Sequence, residues 1–238
     1  MCIRDRVNMK KDLIILIMSR MIQISASLIS LRLMTTLLSE NELGTYYLFI
    51  SLYMFASLSV FNPYGQYINR NTYKWRRGGD LLSWLNKYII FVMLFSVFFS
   101  IAWGGYQYFF HKGMSLLLAV IFCAYFVFIT VNQFLLYTLN ILDNRLIFSF
   151  LTILTAILGV LGSLFLLHFN LFDINKTYLW LLGIIIANFL SYAIAWIFLR
   201  RSENSPPNGN VEPVNYRDIL DFCIPCLLYT SPSPRDTE

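Results

Sequence analysis

The stretch IFSFLTILTAILGVLGSLFLLH, residues 147–168, decides the fold class, because its 22 positions contain no Asp, Glu, Lys or Arg. A helix needs about 20 mostly apolar residues to cross a bilayer, and in lipid a helix satisfies its own backbone hydrogen bonds. Five further stretches are similarly apolar: residues 13–38, 46–61, 84–103, 116–137 and 178–199. The sequence therefore predicts an all-α, polytopic membrane helix bundle with six transmembrane helices. Asn62-Pro63 is expected to end the second helix, and a seventh is expected to begin near Ile219.

The composition of the whole chain agrees with this fold class. Of the 238 residues, 58% are hydrophobic and 13% charged, and the mean hydropathy is +0.61. Soluble domains have roughly 45–50% apolar and about 25% charged residues, and disordered chains have few apolar ones, so both classes are excluded. The 18 Lys and Arg residues are dispersed between apolar runs, which predicts membrane lipids as the surroundings and no nucleic-acid partner.

The two ends of the chain are predicted to be sequencing-adapter scars, covering residues 1–6 and 226–238. Residues 1–5 and 226–230 can be encoded by one DNA element in opposite orientations, and its continuation matches the translated transposase adapter used in sequencing libraries. Such segments are left out of fold reasoning. Between them we expect a six-helix lobe over residues 7–200, a Pro- and Asn-rich cytoplasmic linker over 201–217, and the start of a second lobe over 218–225.

The distribution of basic residues predicts the orientation. Cytoplasmic loops of membrane proteins retain Lys and Arg. When the connections are assigned alternately to the two sides, eleven basic residues share the side of the amino terminus, and two, Lys112 and Lys176, lie on the other. The eleven are Lys10, Lys11, Arg70, Lys74, Arg76, Arg77, Lys87, Arg145, Arg200, Arg201 and Arg217. We therefore predict a multi-pass protein of the cytoplasmic (inner) membrane with its amino terminus inside. Trp84 and Trp103, 19 residues apart, are expected at the two interfaces.

The first helix carries a polar stripe that is a candidate binding site. Arg20, Gln23, Ser27 and Ser30 share one face, and Arg32 lies near the outer end, turned about 120° from Arg20. An intramembrane arginine points to a water-filled or protein-lined path, and its planar donor fork suits a phosphate-bearing lipid headgroup. The alternative is snorkelling, in which each guanidinium reaches the nearer headgroup layer.

A second candidate group consists of amide side chains in two later helices. Asn132 and Gln133 are followed by Tyr137 and Asn140 near the cytoplasmic end of one helix, and Asn188 lies in the sixth. Such groups can bind sugar hydroxyls or, alternatively, hydrogen-bond neighbouring helices. The chain shows no paired carboxylates, metal-ligand spacing or Gly-rich phosphate loop. The sequence therefore predicts no metal, no cofactor, no catalytic residue and no enzyme activity.

Several short motifs resemble the polysaccharide flippases of the multidrug/oligosaccharidyl-lipid/polysaccharide exporter superfamily. They are Arg32 with Leu37-Leu38, Gly44-Thr45-Tyr46, the segment NPYGQYINR at residues 62–70, and the proline-bearing helix start at 221–225. Ser19-Arg20 is similar in placement to a first-helix Ser-Arg of the related peptidoglycan-precursor flippases, although the surrounding glycines of those proteins are absent here. This departure favours a surface-polysaccharide repeat unit over a peptidoglycan precursor.

The resemblance implies that the chain is the amino-terminal lobe of a two-lobe transporter. Members of the family move a polyprenyl-pyrophosphate-linked oligosaccharide across the membrane by alternating access, and a coupling ion is left open. One alternative is a cation-coupled drug exporter of the same superfamily, which would favour an intramembrane carboxylate. The others are a membrane-embedded sugar polymerase or ligase, which would need a large outer loop, and a purely structural membrane subunit.

Overall fold

A computed structural model describes residues 3–111, 116–169 and 175–202, and every element in these ranges is helical. The predicted linker beyond residue 202, the start of the second lobe and the carboxyl-terminal scar lie outside the described residues. The helices are α1 (Ile3–Leu37), α2 (Glu40–Ala56), a π-helical turn (Ser57–Phe61), α3 (Asn62–Gly78), α4 (Leu81–His111), α5 (Leu116–Ile141), α6 (Arg145–Phe169) and α7 (Lys176–Ser202).

Six of these helical segments are long and apolar enough to cross a membrane, which confirms the predicted all-α bundle of six spans. The spans are Ile14–Leu37, Glu40–Gly78, Leu81–Gly105, Ala119–Ile141, Arg145–Phe169 and Lys176–Arg201. Large apolar side chains cover much of their outer surface, for example Leu94, Phe98 and Ile101 on α4. Such a surface is typical of helices that face lipid.

The prediction that the second span ends at Asn62-Pro63 is wrong. α2, the π-helical turn and α3 form one continuous helical segment of 39 residues. At the π turn the Asn62 N–H bonds the carbonyl of Ser57, five residues back. Pro63 then stands in the first turn of α3, where a missing N–H is tolerated. At 1.5 Å per residue the segment is about 58 Å long, roughly twice the hydrocarbon thickness, so part of it extends beyond the hydrocarbon.

Short turns join several neighbouring helices. α2 begins with a capping box, in which the Glu42 carboxylate accepts hydrogen bonds from the backbone N–H and hydroxyl of Ser39, both at 2.9 Å. α3 ends at Gly79, whose φ of 79° places it in the left-handed region that glycine adopts without strain. Asp143, with φ 62°, occupies the turn between α5 and α6. These caps fix where each helix stops and the chain reverses.

The core is an aromatic cluster between α2, α4 and α5. Phe49 meets the rings of Phe122 and Tyr125 edge-on, with centroids 4.6 and 4.9 Å apart, and Tyr53 meets Phe126 at 5.2 Å. Edge-to-face pairs of this kind add about 0.5–1.5 kcal/mol to the effect of burial. α6 packs most extensively on α7, which in turn packs on α5, while α1 packs mainly on α6.

The two tryptophans of α4 are inside the bundle and do not form surface belts. Trp84 is 6% exposed and stacks on Trp75 at 4.4 Å, and Trp103 is 9% exposed and stacks on Phe122 at 5.8 Å. Their spacing along α4 matches the expectation, but their rings face neighbouring helices because aromatic partners lie opposite them. Interface anchoring by exposed tryptophan rings is therefore not their role in this structure.

Candidate functional site

A cavity of about 420 Å³ lies between the α2–α3 segment, α4 and α5, and is called the amide cavity here. No charged residue is among those that line it, and most of the lining side chains carry a neutral hydroxyl or amide. Its polar lining residues are Tyr53, Ser57, Asn62, Gln66, Asn69, Tyr88, Thr130, Gln133 and Tyr137, and the remainder are Met54, Leu58, Gly65 and Phe134. A neutral polar cavity in an apolar bundle is the arrangement expected of a ligand site.

The helix geometry explains why amides gather on one wall. Asn62, Gln66 and Asn69 stand at i, i+4 and i+7 of α3, which places them on one face. The π turn continues this face upward into α2, because Ser57 lies at its start. π turns inside α-helices occur frequently at functional sites. The hydroxyl of Tyr88 on α4 donates to the carbonyl of Phe61 in this turn at 3.4 Å, which ties the turn to α4.

The opposite wall comes from α5, where Thr130, Gln133 and Tyr137 are spaced i, i+3 and i+7. Two hydrogen bonds join the walls. The Tyr53 hydroxyl donates to Gln133 Oε1 at 3.4 Å, and the Thr138 hydroxyl contacts Asn69 Oδ1 at 3.3 Å. The Thr130 hydroxyl is buried in this wall beside the Tyr53 hydroxyl and makes no hydrogen bond of normal geometry among the described residues. A ligand that bonds it would gain a hydrogen bond of about 0.5–1.5 kcal/mol.

The groups that line the cavity are suited to hydrogen bonding. Hydroxyls and amides both donate and accept hydrogen bonds, and a sugar hydroxyl or an acetamido group does the same. The rings of Tyr53, Tyr88, Phe134 and Tyr137 provide apolar surface beside these groups. No carboxylate, imidazole or thiol is among the residues that line the cavity.

Of the predicted amide residues, the structure places Gln133 in the cavity and separates Asn132 from it. Asn132 Nδ2 donates to Asn188 Oδ1 at 2.9 Å, which links α5 to α7, and Asn188 Nδ2 donates to the carbonyl of Ile184. The alternative of interhelical hydrogen bonding therefore holds for Asn132 and Asn188. Gln133, one residue further along α5, is turned by about 100° and reaches the cavity instead.

The stripe predicted on α1 is divided between two environments. Arg20 Nη1 donates to Gln23 Oε1 at 2.9 Å, and its guanidinium lies 5.5 Å from the ring centre of Phe148. Arg20 is exposed and Gln23 half-buried, and neither lines the amide cavity or the second cavity described below. Arg32 is also exposed, and its backbone carbonyl accepts hydroxyl hydrogen bonds from Thr35 and Thr36. The phosphate-binding role of the two arginines stays a prediction.

Ser27 and Ser30 line a second cavity of about 380 Å³ between α1, α2, α6 and α7, called the serine cavity here. The other polar groups in its lining are Tyr46, Tyr47, Thr155 and Trp180. The indole N–H of the fully buried Trp180 has no hydrogen-bond partner among the described residues. α2 contributes to both cavities, and its Ile50 and Tyr53 are only three residues apart, so the cavities lie at successive levels along this helix.

Sequence reasoning missed most of the amide cavity, although a signal was present. Asn62, Gln66 and Asn69 have the i, i+4, i+7 spacing of a helix face. The pattern was not recognised because the helix was expected to end at Asn62-Pro63. Residues on the two sides of a helix end do not share a helix face. Thr130 and Tyr88 are single polar residues within apolar runs, and only the tertiary structure brings them together.

Comparisons with protein-family models, curated proteins and solved structures found no match to the chain. The resemblance to polysaccharide flippases therefore rests on the short motifs alone.

Proposed function

We propose that the chain is the amino-terminal lobe of a transporter that moves a lipid-linked oligosaccharide across the cytoplasmic membrane for surface-polysaccharide synthesis. The amide cavity is the observation that supports this proposal. Its neutral hydroxyls and amides match the hydrogen-bonding pattern of a sugar, and its tyrosine and phenylalanine rings offer apolar surface beside them. The lipid part of such a cargo can stay in the bilayer beside the exposed apolar faces of the helices.

The proposed orientation places the amino terminus in the cytoplasm, because the excess of basic residues lies on that side. In this orientation α3 and the start of α4 lie at the cytoplasmic end, and the amide cavity opens nearer to that end than the serine cavity does. Cargo would meet the neutral amides first and pass the hydroxyls of the serine cavity later. The two cavities would then be successive positions along α2.

The lining of both cavities favours a neutral sugar headgroup over a cationic drug. Neither cavity includes an Asp or Glu among the residues that line it. An exporter of cations needs a carboxylate to offset the loss of hydration of its substrate. The proposal of an oligosaccharide cargo is therefore preferred to that of a drug exporter.

Cargo binding is tested with the full chain in nanodiscs that contain a polyprenyl-diphosphate oligosaccharide, with native mass spectrometry as the readout. Gln66→Leu removes an exposed amide from the cavity wall without breaking a hydrogen bond that the structure shows. We expect binding to fall about tenfold, because one hydrogen bond to a polar cargo would be lost and a polar group left unpaired. Gln133→Leu should act in the same direction.

Gln23→Leu makes the same chemical change on the candidate stripe of α1, outside the amide cavity, and also removes the acceptor of the Arg20 hydrogen bond. If the amide cavity is the site, Gln23→Leu should weaken binding less than Gln66→Leu does. Loss of binding in Gln23→Leu with normal binding in Gln66→Leu would move the site to the stripe on α1. If the wild-type chain does not retain the lipid-linked oligosaccharide, the proposed function fails.

A further inference from the structure

The amide face of α3 continues into a row of arginines. Taking Gln66 as the origin and 100° per residue, Arg70, Tyr73 and Arg77 fall within a sector of about 60°. All four side chains are exposed, whereas Ile68, Thr72 and Trp75 on the other face are buried. Arg70 and Arg77 lie about 6 and 16 Å beyond Gln66 along the helix axis. We call Arg70, Tyr73 and Arg77 the basic stripe.

The packing of α3 on α4 places the start of the basic stripe at the level of the lipid headgroups. A methyl group added at Gly65 would lie 3.4 Å from the Tyr88 hydroxyl, so these two residues are at one depth. Tyr88 is the first residue of an uncharged run that continues to Trp103, and Lys87 immediately precedes it. The hydrocarbon therefore begins near Gly65, so Arg70, about 6 Å beyond Gln66, lies in the headgroup layer, and Arg77 lies on the water side of that layer, within reach of it through its long side chain.

Positive charge dominates this end of α3. Lys74 and Arg76 flank the basic stripe, and Lys87 lies 4.0 Å above the ring of Trp84 at the start of α4. One carboxylate, that of Asp143, lies beside the stripe. Its Oδ2 atom is 3.4 Å from the Tyr73 hydroxyl, and its Oδ1 atom is 3.4 Å from Arg145 Nη2. Tyr73 also donates to the carbonyl of Ile141. These contacts hold the carboxyl end of α3 against the end of α5.

We propose that the basic stripe binds the diphosphate of a membrane-borne lipid whose polar headgroup occupies the amide cavity. This inference rests on the proposed function for the identity of the headgroup. Guanidinium groups suit phosphate because their donors engage two oxygens at once and keep their charge. A general attraction to anionic lipids would not require the arginines to share a face with the cavity amides. The alignment of Arg70 and Arg77 with Gln66 favours a single ligand that spans both.

The test measures binding of a sugar-free polyprenyl diphosphate to the full chain in phosphatidylcholine nanodiscs. We expect the double variant Arg70→Gln/Arg77→Gln to bind about tenfold more weakly or worse, since it loses charge-assisted hydrogen bonds to phosphate. Arg201→Gln is the control, because it removes one positive charge at the exposed end of α7, and α7 does not pack closely on α3. Arg77→Lys keeps the charge but loses the donor fork, and we expect partial loss.

Equal binding by the double variant and the wild type would overturn the inference, provided that both unfold at the same temperature. If the double variant does not fold, Arg77→Gln alone serves, because its side chain is exposed at the end of α3. Stronger binding of phosphatidylglycerol or of inorganic pyrophosphate than of the polyprenyl diphosphate would also overturn it. Because the probe has no sugar, a negative result here is distinguishable from failure of oligosaccharide binding by the Gln66 variant.

Discussion

Replacing Gly183 by alanine should force α6 and α7 apart. The added methyl carbon would lie 2.3 Å from the backbone nitrogen of Ser163 and 2.5 Å from its Cα and Oγ atoms. Ordinary contacts of this kind begin near 3.4 Å, so the helices must separate by roughly 1 Å. The obstacle is backbone, which cannot rotate out of the way as a long side chain could. Gly162 lies on the same contact, where an added methyl would be 3.5 Å from the carbonyl of Gly183.

The expected loss of stability follows from three effects of the Gly183→Ala change. Overpacking a tight contact costs about 1–3 kcal/mol. The Ser163 hydroxyl donates to the carbonyl of Trp180 at 2.8 Å, and loss of this bond adds about 1 kcal/mol. The better helix propensity of alanine offsets about 1 kcal/mol. The variant should therefore be less stable by about 1–3 kcal/mol, which is roughly 5- to 150-fold in the unfolding equilibrium.

The measurement is equilibrium unfolding in bicelles by steric trapping, with probes attached near the two ends of α7. Gly44→Ala is the matched control, because a methyl at Gly44 meets no atom within 4 Å. We expect the control to be as stable as the wild type or slightly more so, since alanine favours the helix. Wild-type stability of Gly183→Ala would refute the close approach of α6 and α7 on which the bundle depends.

Two further predictions concern the α5–α7 contact and the orientation. A double-mutant cycle of Asn132→Ala and Asn188→Ala should give a coupling of about 0.6 kcal/mol and at most about 1.7, the range found for hydrogen bonds between membrane helices. A coupling indistinguishable from zero in the same unfolding assay would contradict the 2.9 Å bond. For the orientation, single cysteines at Asn175 and Arg201 are placed in a chain whose four cysteines are replaced by serine. In intact cells an impermeant thiol reagent should label the cysteine at position 175 and spare the one at 201, and the reverse pattern would refute an inside amino terminus.

The six spans were predictable because each helix must by itself contain enough consecutive apolar residues to cross the hydrocarbon. Residues 147–168 need no tertiary information to be assigned, and the structure has Arg145–Phe169 as a span. The small residues of this helix are also readable as a packing face, and Gly162 does approach the backbone of Gly183. The partner of that face could not be read from sequence, because a pattern on one helix does not specify which neighbour it meets.

The end of the second span was not predictable from Asn62-Pro63 alone. A proline ends a helix when its ring clashes with the carbonyl four residues back and its missing N–H leaves that carbonyl unbonded. Here the π turn changes the register just before Pro63, and Tyr88 from α4 donates to the carbonyl of Phe61. This bond ties the π turn to α4 and does not replace the missing Pro63 N–H, whose acceptor would lie four or five residues back. The amide stripe on α3 could be recognised only once this continuity was known.

Local sequence also could not decide which of two adjacent amides faces a neighbouring helix. Asn132 and Gln133 are chemically alike and one residue apart, yet one bonds Asn188 and the other lines the cavity. The direction is fixed by the rotation of α5 against α7, which depends on the whole core. For the same reason Thr130 gave no signal in an apolar run, although its hydroxyl lies in the cavity wall.

The position of Arg20 relative to the lipid headgroups decides whether α1 can contribute to the proposed phosphate site. Its guanidinium lies 5.5 Å from the ring centre of Phe148, which is in the first turn of α6, three residues after Arg145. At 1.5 Å per residue, Phe148 is only about 4.5 Å inside the charged start of α6. An arginine side chain spans that distance, so Arg20 can reach the headgroups without a water-filled passage beside it. Snorkelling, one of the two alternatives for an arginine in this apolar run, is compatible with this position of Arg20. A diphosphate that contacts α1 would meet Arg20 at the same headgroup level as the basic stripe, and binding by the Arg70→Gln/Arg77→Gln variant measures how much of the attraction α3 supplies.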